Sequence, residues 1–217
     1  MNHHLATYWP LVPGPKIPVD LYDHVADSAH DADIIIEAGC GFGRGVHYLM
    51  EALRTQDSHP KLYAFDTFGE AHPGSEFWEG YPATTPWGEP FMTWAARVGG
   101  TTRMLDQFAF YLKNSHARDY LTDWAQFPWW TVAEEFKDGT VSFVIANGAH
   151  TAKGVTRELT KWWPKLKPDG KISVYGHDEK DWEVKVNAVL QWMVDAKKPL
   201  FAQGERYIVL TKSQWTP

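Results

Sequence analysis

The segment Ile34-Ile35-Ile36-Glu37-Ala38-Gly39-Cys40-Gly41-Phe42-Gly43 constrains this chain more than any other. Three successive isoleucines suit a buried strand, because β-branched side chains pack well on a pleated surface and buried parallel strands read as continuous apolar runs. The run ends on an acid and enters a turn with glycine at every second position. Val46, Leu49, Met50 and Leu53 follow at i, i+3, i+4 and i+7, the repeat of an amphipathic helix. Strand, glycine turn and helix in that order bring backbone N–H groups and a helix N-terminus against a ligand. A nucleotide-like cofactor is therefore expected at this turn. The competing reading is a turn without ligand, in which three alternating glycines would carry an entropic cost that a plain turn avoids.

The glycine spacing narrows the cofactor. A dinucleotide fingerprint needs G-x-G-x-x-G, but its last position falls on Arg44, Val46 or Tyr48 when counted from Gly39, Gly41 or Gly43. Downstream, Lys61-Leu62-Tyr63-Ala64-Phe65-Asp66 reads as the next strand. Asp66 ends it where a ribose-binding carboxylate belongs, with Thr67 beside it. An acid at a strand end can instead cap a helix.

The pattern acid-x-G-x-G-x-G resembles the first motif of class I methyltransferases that use S-adenosyl-L-methionine. The resemblance implies that Glu37, Gly39, Gly41 and Gly43 hold the methionine part of that cofactor, with Glu37 near its ammonium group. It extends to a small bacterial O-methyltransferase branch related to macrocin-type sugar methyltransferases. Asp138-Gly139-Thr140-Val141-Ser142-Phe143-Val144-Ile145-Ala146-Asn147-Gly148-Ala149-His150 is similar to that branch's D-G-S-x-D-F-V-F-I-D-G-D-H. Trp162-Trp163-Pro164-Lys165-Leu166-Lys167-Pro168 and Gly176-His177-Asp178 match its W-W-P-x-L-K-P and G-H-D.

Departures from the pattern carry as much information. Asn147 and Ala149 stand where the branch has its two aspartates. In metal-dependent relatives the first of these and the acids after the next strand bind Mg²⁺. The equivalent set here is Asn147, His177 and Asp178, with one formal negative charge, whereas Mg²⁺ prefers several hard anionic oxygens. No metal is expected; a softer divalent ion using the histidine nitrogen is the alternative. Where relatives place a Gly-Asp-Ser that contacts adenine, this chain has Phe127-Pro128-Trp129-Trp130. Adenine would then rest on an aromatic face that includes Trp129, unless these rings serve core or lid packing.

With 217 residues the chain has room for one α/β domain and little more. A formal charge of −6 without Lys/Arg runs argues against a nucleic-acid substrate, which needs a basic face. No apolar run approaches the length of a membrane span and no secretory h-region follows the N-terminus. A single cysteine, Cys40, excludes an internal disulfide, suits a reducing cytoplasm and reads as steric filler in the glycine turn.

Residues 1–30 are expected to form a Pro-rich arm and a helix over Asp20–Ala29 with Leu21 and Val25 inward. Residues 67–102, where Gly, Pro and aromatics alternate, form an insertion, read as a lid or substrate-binding element with dimer contact as the rival. A helix is expected at 103–115, a strand within 119–128, a helix from Thr131, a strand at 141–147 and a helix at 152–163. A strand at 171–176 follows, then a helix after Asp181 with Val186, Val189, Leu190 and Met193 inward. Two short strands about Gly204 read as a hairpin. Alternating strands and helices imply a mainly parallel sheet covered on both faces. The resemblance makes it a Rossmann-like, doubly wound, seven-stranded sheet with a C-terminal antiparallel hairpin.

Methyl transfer to a hydroxyl needs alignment and a base. His150 and His177 lie at strand ends and titrate near working pH, and Asp178 could orient either. His150 could instead cap the helix starting near Thr151. The expected function is S-adenosylmethionine-dependent O-methylation of a small hydroxylated acceptor, a sugar or secondary metabolite. The alternative is a relative that keeps the fold and the cofactor but not the transfer.

Overall fold

The computed structural model describes Val12 and residues 16–68, 104–196 and 202–212. The insertion beyond Phe68, and the N-terminal arm apart from Val12 and residues 16–18, lie outside the described residues. The chain runs α1 (Val19–Asp27), β1 (Ile34–Ala38), α2 (Arg44–Gln56), β2 (Lys61–Asp66) and α3 (Met104–Lys113). It continues through β3 (Asp123–Gln126), a short α4 (Trp129–Val132), β4 (Val141–Ala146), α5 (Ala152–Trp162) and β5 (Leu166–Tyr175). The last elements are α6 (Glu179–Ala196), β6 (Ala202–Gln203) and β7 (Tyr207–Thr211).

These strands form one sheet in the order β3-β2-β1-β4-β5-β7-β6. The first five are parallel, and β7 runs antiparallel between β5 and β6. The chain reverses its direction of travel across the sheet after β3, returning past β1 to β4, so β1 and β4 flank the crevice where such sheets bind ligands. Register places Ala38 opposite both Phe65 and Ala146. Gly39, Asp66 and Asn147, each the next residue along, therefore emerge together at one edge.

The alternation within β1 splits the core. Ile35 packs with Leu21, Val25, Leu49, Leu53 and Phe108 on the α1–α2–α3 face. Ile36 and Ala38 join Trp129, Val155, Leu159, Trp162 and Val189 on the face covered by α4, α5 and α6. A strand buried on both faces by a run of isoleucines is the reason for helices on both sides.

Three elements differ from the sequence reading. The helix expected from Thr131 starts at Trp129, because Pro128 opens it and its carbonyl accepts from the Thr131 N–H at 2.9 Å. β5 begins at Leu166, before Pro168-Asp169-Gly170, since an irregularity in its pairing with β4 absorbs the intervening residues. The buried stripe of α6 comprises Asp181, Lys185, Ala188, Val189 and Trp192, whereas Leu190 is exposed. Val189 is core and Val186 and Met193 pack against it as expected, so a buried polar pair joins the apolar face and only Leu190 falls outside it.

Gly39 has φ +87°, and a Cβ there would lie 2.2 Å from the Gly148 backbone. The β1 and β4 tips meet main chain to main chain. Gly39→Ala is expected to lower stability by about 2 kcal/mol or more, from left-handed strain plus overpacking. Gly139, at φ +75° with nothing within 4 Å, should cost only about 1 kcal/mol on the same change. Urea denaturation of the two variants checks the contrast; equal losses would refute the close approach.

Candidate active site

At the β1 tip, Glu37 is buried beside Tyr22 of α1 and Gly45 of α2. Its Oε1 accepts from the Tyr22 hydroxyl at 3.1 Å, and its buried Oε2 has no partner. Burial, with Asp66 adding to it, pushes the carboxyl up to about 8. At the β2 tip Asp66 is also buried; its Oδ2 accepts the Gly41 N–H and its Oδ1 the Phe68 N–H, both at 2.7 Å. Asp66 thus fastens the glycine turn to β2, while burial raises it to about 6 despite those bonds. Thr67, the next residue, also acts on Asp66 through its backbone and side chain. Neither acid has a basic partner among the described residues. Thr67 follows Asp66, and its carbonyl accepts from the Gln126 side chain at 3.3 Å.

Gly41 and Gly43 hold positive φ, and Gly43 leads directly into α2. Cys40 is buried in this turn, where its surroundings push the thiol well up and leave it a poor nucleophile. Trp129 lies against Gly148, where a Cβ would come within 2.2 Å of its ring. Its neighbour Trp130 stacks under the Arg157 guanidinium at 3.7 Å. Trp129 is a buried member of the core that braces the β4 tip.

The second half of the site lies at the tips of β4 and β5. His150 Nδ1 is 3.0 Å from Asp181 Oδ1, and its ring centroid is 5.6 Å from that of His177. The Asn147 amide donates to the Tyr175 hydroxyl at 2.7 Å and lies 3.2 Å from His177 Nε2. The lone pair of His177 Nε2 is thereby committed to Asn147, whereas Asp181 accepts from His150 Nδ1 and directs that ring's lone pair to Nε2. Burial and the Lys185 charge lower both histidines, so both are neutral near pH 7. Thr151, not His150, caps α5, through its hydroxyl and the Gly154 N–H. Asp178 is exposed, and its Oδ1 accepts the Asp181 N–H at 2.8 Å as a cap of α6.

Sequence reasoning missed Asp181, Lys185, Tyr22 and Tyr175. Lys185 Nζ, fully buried, contacts Asn147 Oδ1 at 3.1 Å, the Tyr175 carbonyl at 2.9 Å and Asp181 Oδ2 at 3.2 Å. In sequence an Asp and a Lys four apart on a helix read as a surface pair. The Mg²⁺ that the resemblance raises does not fit its implied set: Asn147 is neutral and bound to Lys185, and Asp178 is spent on a cap. By contrast, a Glu37 Oε2 without a partner and two acids without a cation, among the described residues, together with the positive-φ turn, do fit a cationic cofactor.

Sheet order, glycine turn and paired strand-tip acids define the Rossmann-like class of S-adenosylmethionine-dependent methyltransferase folds. The family described as "Methyltransferase domain" matches residues 36–178, and the chain belongs to it. No curated protein matches the sequence. Among solved structures, the O-methyltransferase NovP is similar with a TM-score of 0.59 at 14% identity, over 90% of this chain and 79% of that one. An rRNA methylase from Streptococcus thermophilus gives 0.57 at 15% identity, over 92% and 98%. A Streptococcus mutans protein assigned as a methyltransferase and solved with SAH gives 0.56 at 13%, over 90% and 98%. These likenesses establish the fold, and with the family they imply a cofactor of the S-adenosylmethionine type. Among the described residues no helix is long and apolar enough to cross a membrane.

Glu37 sets a pH dependence of stability. Its folded-state value of about 8 lies above the ordinary 4.5, so the native chain holds a proton that the unfolded chain releases. That contribution is fully present below the unfolded value and is lost as pH rises toward 8, by up to about 1.4 kcal/mol per pH unit. Glu37→Gln should remove this slope and be the more stable protein at pH 8.5. Parallel urea profiles for both proteins from pH 5.5 to 8.5 would refute it.

Proposed function

We propose that the protein is an S-adenosylmethionine-dependent O-methyltransferase of a small hydroxylated acceptor, a sugar or secondary metabolite. The carrying observation is the pair of buried acids, Glu37 and Asp66, without a basic partner among the described residues. They flank a positive-φ glycine turn. A buried carboxylate without a counter-ion is costly, and a cationic ligand removes that cost. S-adenosylmethionine carries an ammonium and a sulfonium, and supplies a methyl group already activated for displacement.

In this reading Glu37 receives the ammonium group, Asp66 the ribose hydroxyls, and Gly39, Gly41 and Gly43 let the backbone approach. Trp129, with Thr67, borders the adenosine. His150, oriented by Asp181 through Nδ1, would take the acceptor's hydroxyl proton on Nε2, and the bound cofactor would supply the activated methyl group. His177 shapes the same rim, and Asp178 supports it by starting α6. The chain's formal charge of −6 speaks for a small acceptor over RNA. We further read the protein as cytoplasmic, with the aromatic insertion as substrate lid or homodimer contact.

A second reading rests on Asn147 and Ala149 in place of two acids: a protein that binds the cofactor without transfer. Turnover of any hydroxylated compound in a panel defeats it. His150→Ala should then lower kcat by about 10²–10⁴-fold, the usual contribution of a positioned base, with little change in cofactor affinity.

Calorimetry with S-adenosylmethionine and its demethylated product tests the cofactor directly. Asp66→Ala should weaken binding by about 1.5–3 kcal/mol, the scale of a hydrogen bond to a charged group. No heat and no thermal shift with either ligand would end the proposal, and an unchanged affinity would remove Asp66 from the ribose role.

A further inference from the structure

We infer that the Lys185 ammonium is the resident cation of the β4–β5 site, standing in for a divalent ion and keeping one out. The observation is geometric. Lys185 Nζ has no solvent exposure and is held by three oxygens from three elements: Asn147 Oδ1, the Tyr175 carbonyl and Asp181 Oδ2. An oxygen cage about a buried positive charge is what a hard metal ion otherwise requires.

The surrounding groups could bind a metal without it. His150, His177 and Asp181 bring one nitrogen or oxygen ligand atom each to within 4.8 Å of one another. Two imidazoles and a carboxylate suit a borderline ion such as Zn²⁺ or Co²⁺. Yet Asp181 is the only anion of that trio, and its charge is already matched by the ammonium 3.2 Å away. A dication bound to Asp181 Oδ1 would face that ammonium across a single carboxylate, in a buried setting where charges are weakly screened.

Asn147 belongs to the same arrangement. An amide offers Oδ1 to Lys185 and Nδ2 to Tyr175 and His177; an aspartate could not donate to either. The neutral residue at the β4 tip and the lysine in α6 are two halves of one exchange, in which a side chain replaces an ion. The contacts of Lys185 to Asn147, Tyr175 and Asp181 are all to buried residues, and Lys185 is a positioning residue. It holds Asp181 ionised, and Asp181 holds His150 with Nδ1 protonated.

This inference gives a chemical identity to the site read above as the base of methyl transfer, but metal uptake tests it independently of any transfer. The untagged full chain is titrated with Co²⁺, followed by visible ligand-field absorption, and with Zn²⁺ and Mg²⁺, followed by Tm. The wild-type protein is expected to show no saturable response. Lys185→Met, and Lys185→Gln should the first fold poorly, are expected to take up about one equivalent of Co²⁺, at least tenfold more tightly than the parent. A further His177→Ala change should abolish that uptake. One equivalent bound by the wild type and lost on His177→Ala would overturn the inference, as would folded Lys185 variants that respond no more than the parent.

Discussion

A seam of buried polar groups beneath the strand tips fixes the arrangement of everything around it. The Tyr22 hydroxyl joins Glu37 to the Tyr175 hydroxyl; Tyr175 accepts from Asn147; Asn147 accepts from Lys185; Lys185 pairs with Asp181, and Asp181 with His150. Groups removed from water cost free energy unless each finds a partner. The seam therefore specifies the mutual placement of α1, β1, β4, β5 and α6 more narrowly than apolar packing does. It also has two ends of different character. At one, Glu37 and Asp66 are buried without a basic partner among the described residues; at the other, Lys185 balances Asp181.

That asymmetry organises the chemistry. In the proposed function the cationic ligand belongs to the acid end, where burial raises both carboxyls and a positive charge would restore them to the ionised form. The same proposal assigns proton transfer to the other end, where a neutral imidazole is oriented by a carboxylate whose own charge is already compensated. Glu158 adds a support between them: its carboxylate accepts the Gly148 N–H at 3.2 Å and burial pushes it up to about 8. It anchors the loop on which His150 is carried.

The parts legible in the sequence were those in which local pattern and long-range structure coincide. Ile34–Gly43 declared a buried strand and a tight turn because β-branching and glycine are each demanded by backbone geometry there. The alternation of strands and helices declared a parallel sheet for the same reason. The polar part of the α6 face was not legible: apolar spacing finds Val186, Val189 and Met193 but adds the exposed Leu190 and omits the buried Asp181 and Lys185. Polar residues become core only through partners supplied elsewhere, and Tyr175 and Asn147 lie in other elements. Asp178 completes a motif in sequence, but its carboxylate caps a helix, and the carboxylate that meets His150 is that of Asp181, three residues on. His150 and His177 could be placed at strand ends, but which ring keeps a usable lone pair depends on neighbours that no linear motif records.

Tyr22 stands in the first helix, and the hydroxyl it meets at 3.3 Å belongs to a residue 153 positions later. Local turns and hairpins close early in folding, whereas pairings across such a span must wait for the intervening chain to be ordered. The polar lining beside the first glycine turn is thus among the last parts of the domain to be completed. A nascent chain emerging from the ribosome would display its signature loop long before that loop could discriminate one small molecule from another. Completing that lining requires the first described helix to meet the fifth strand.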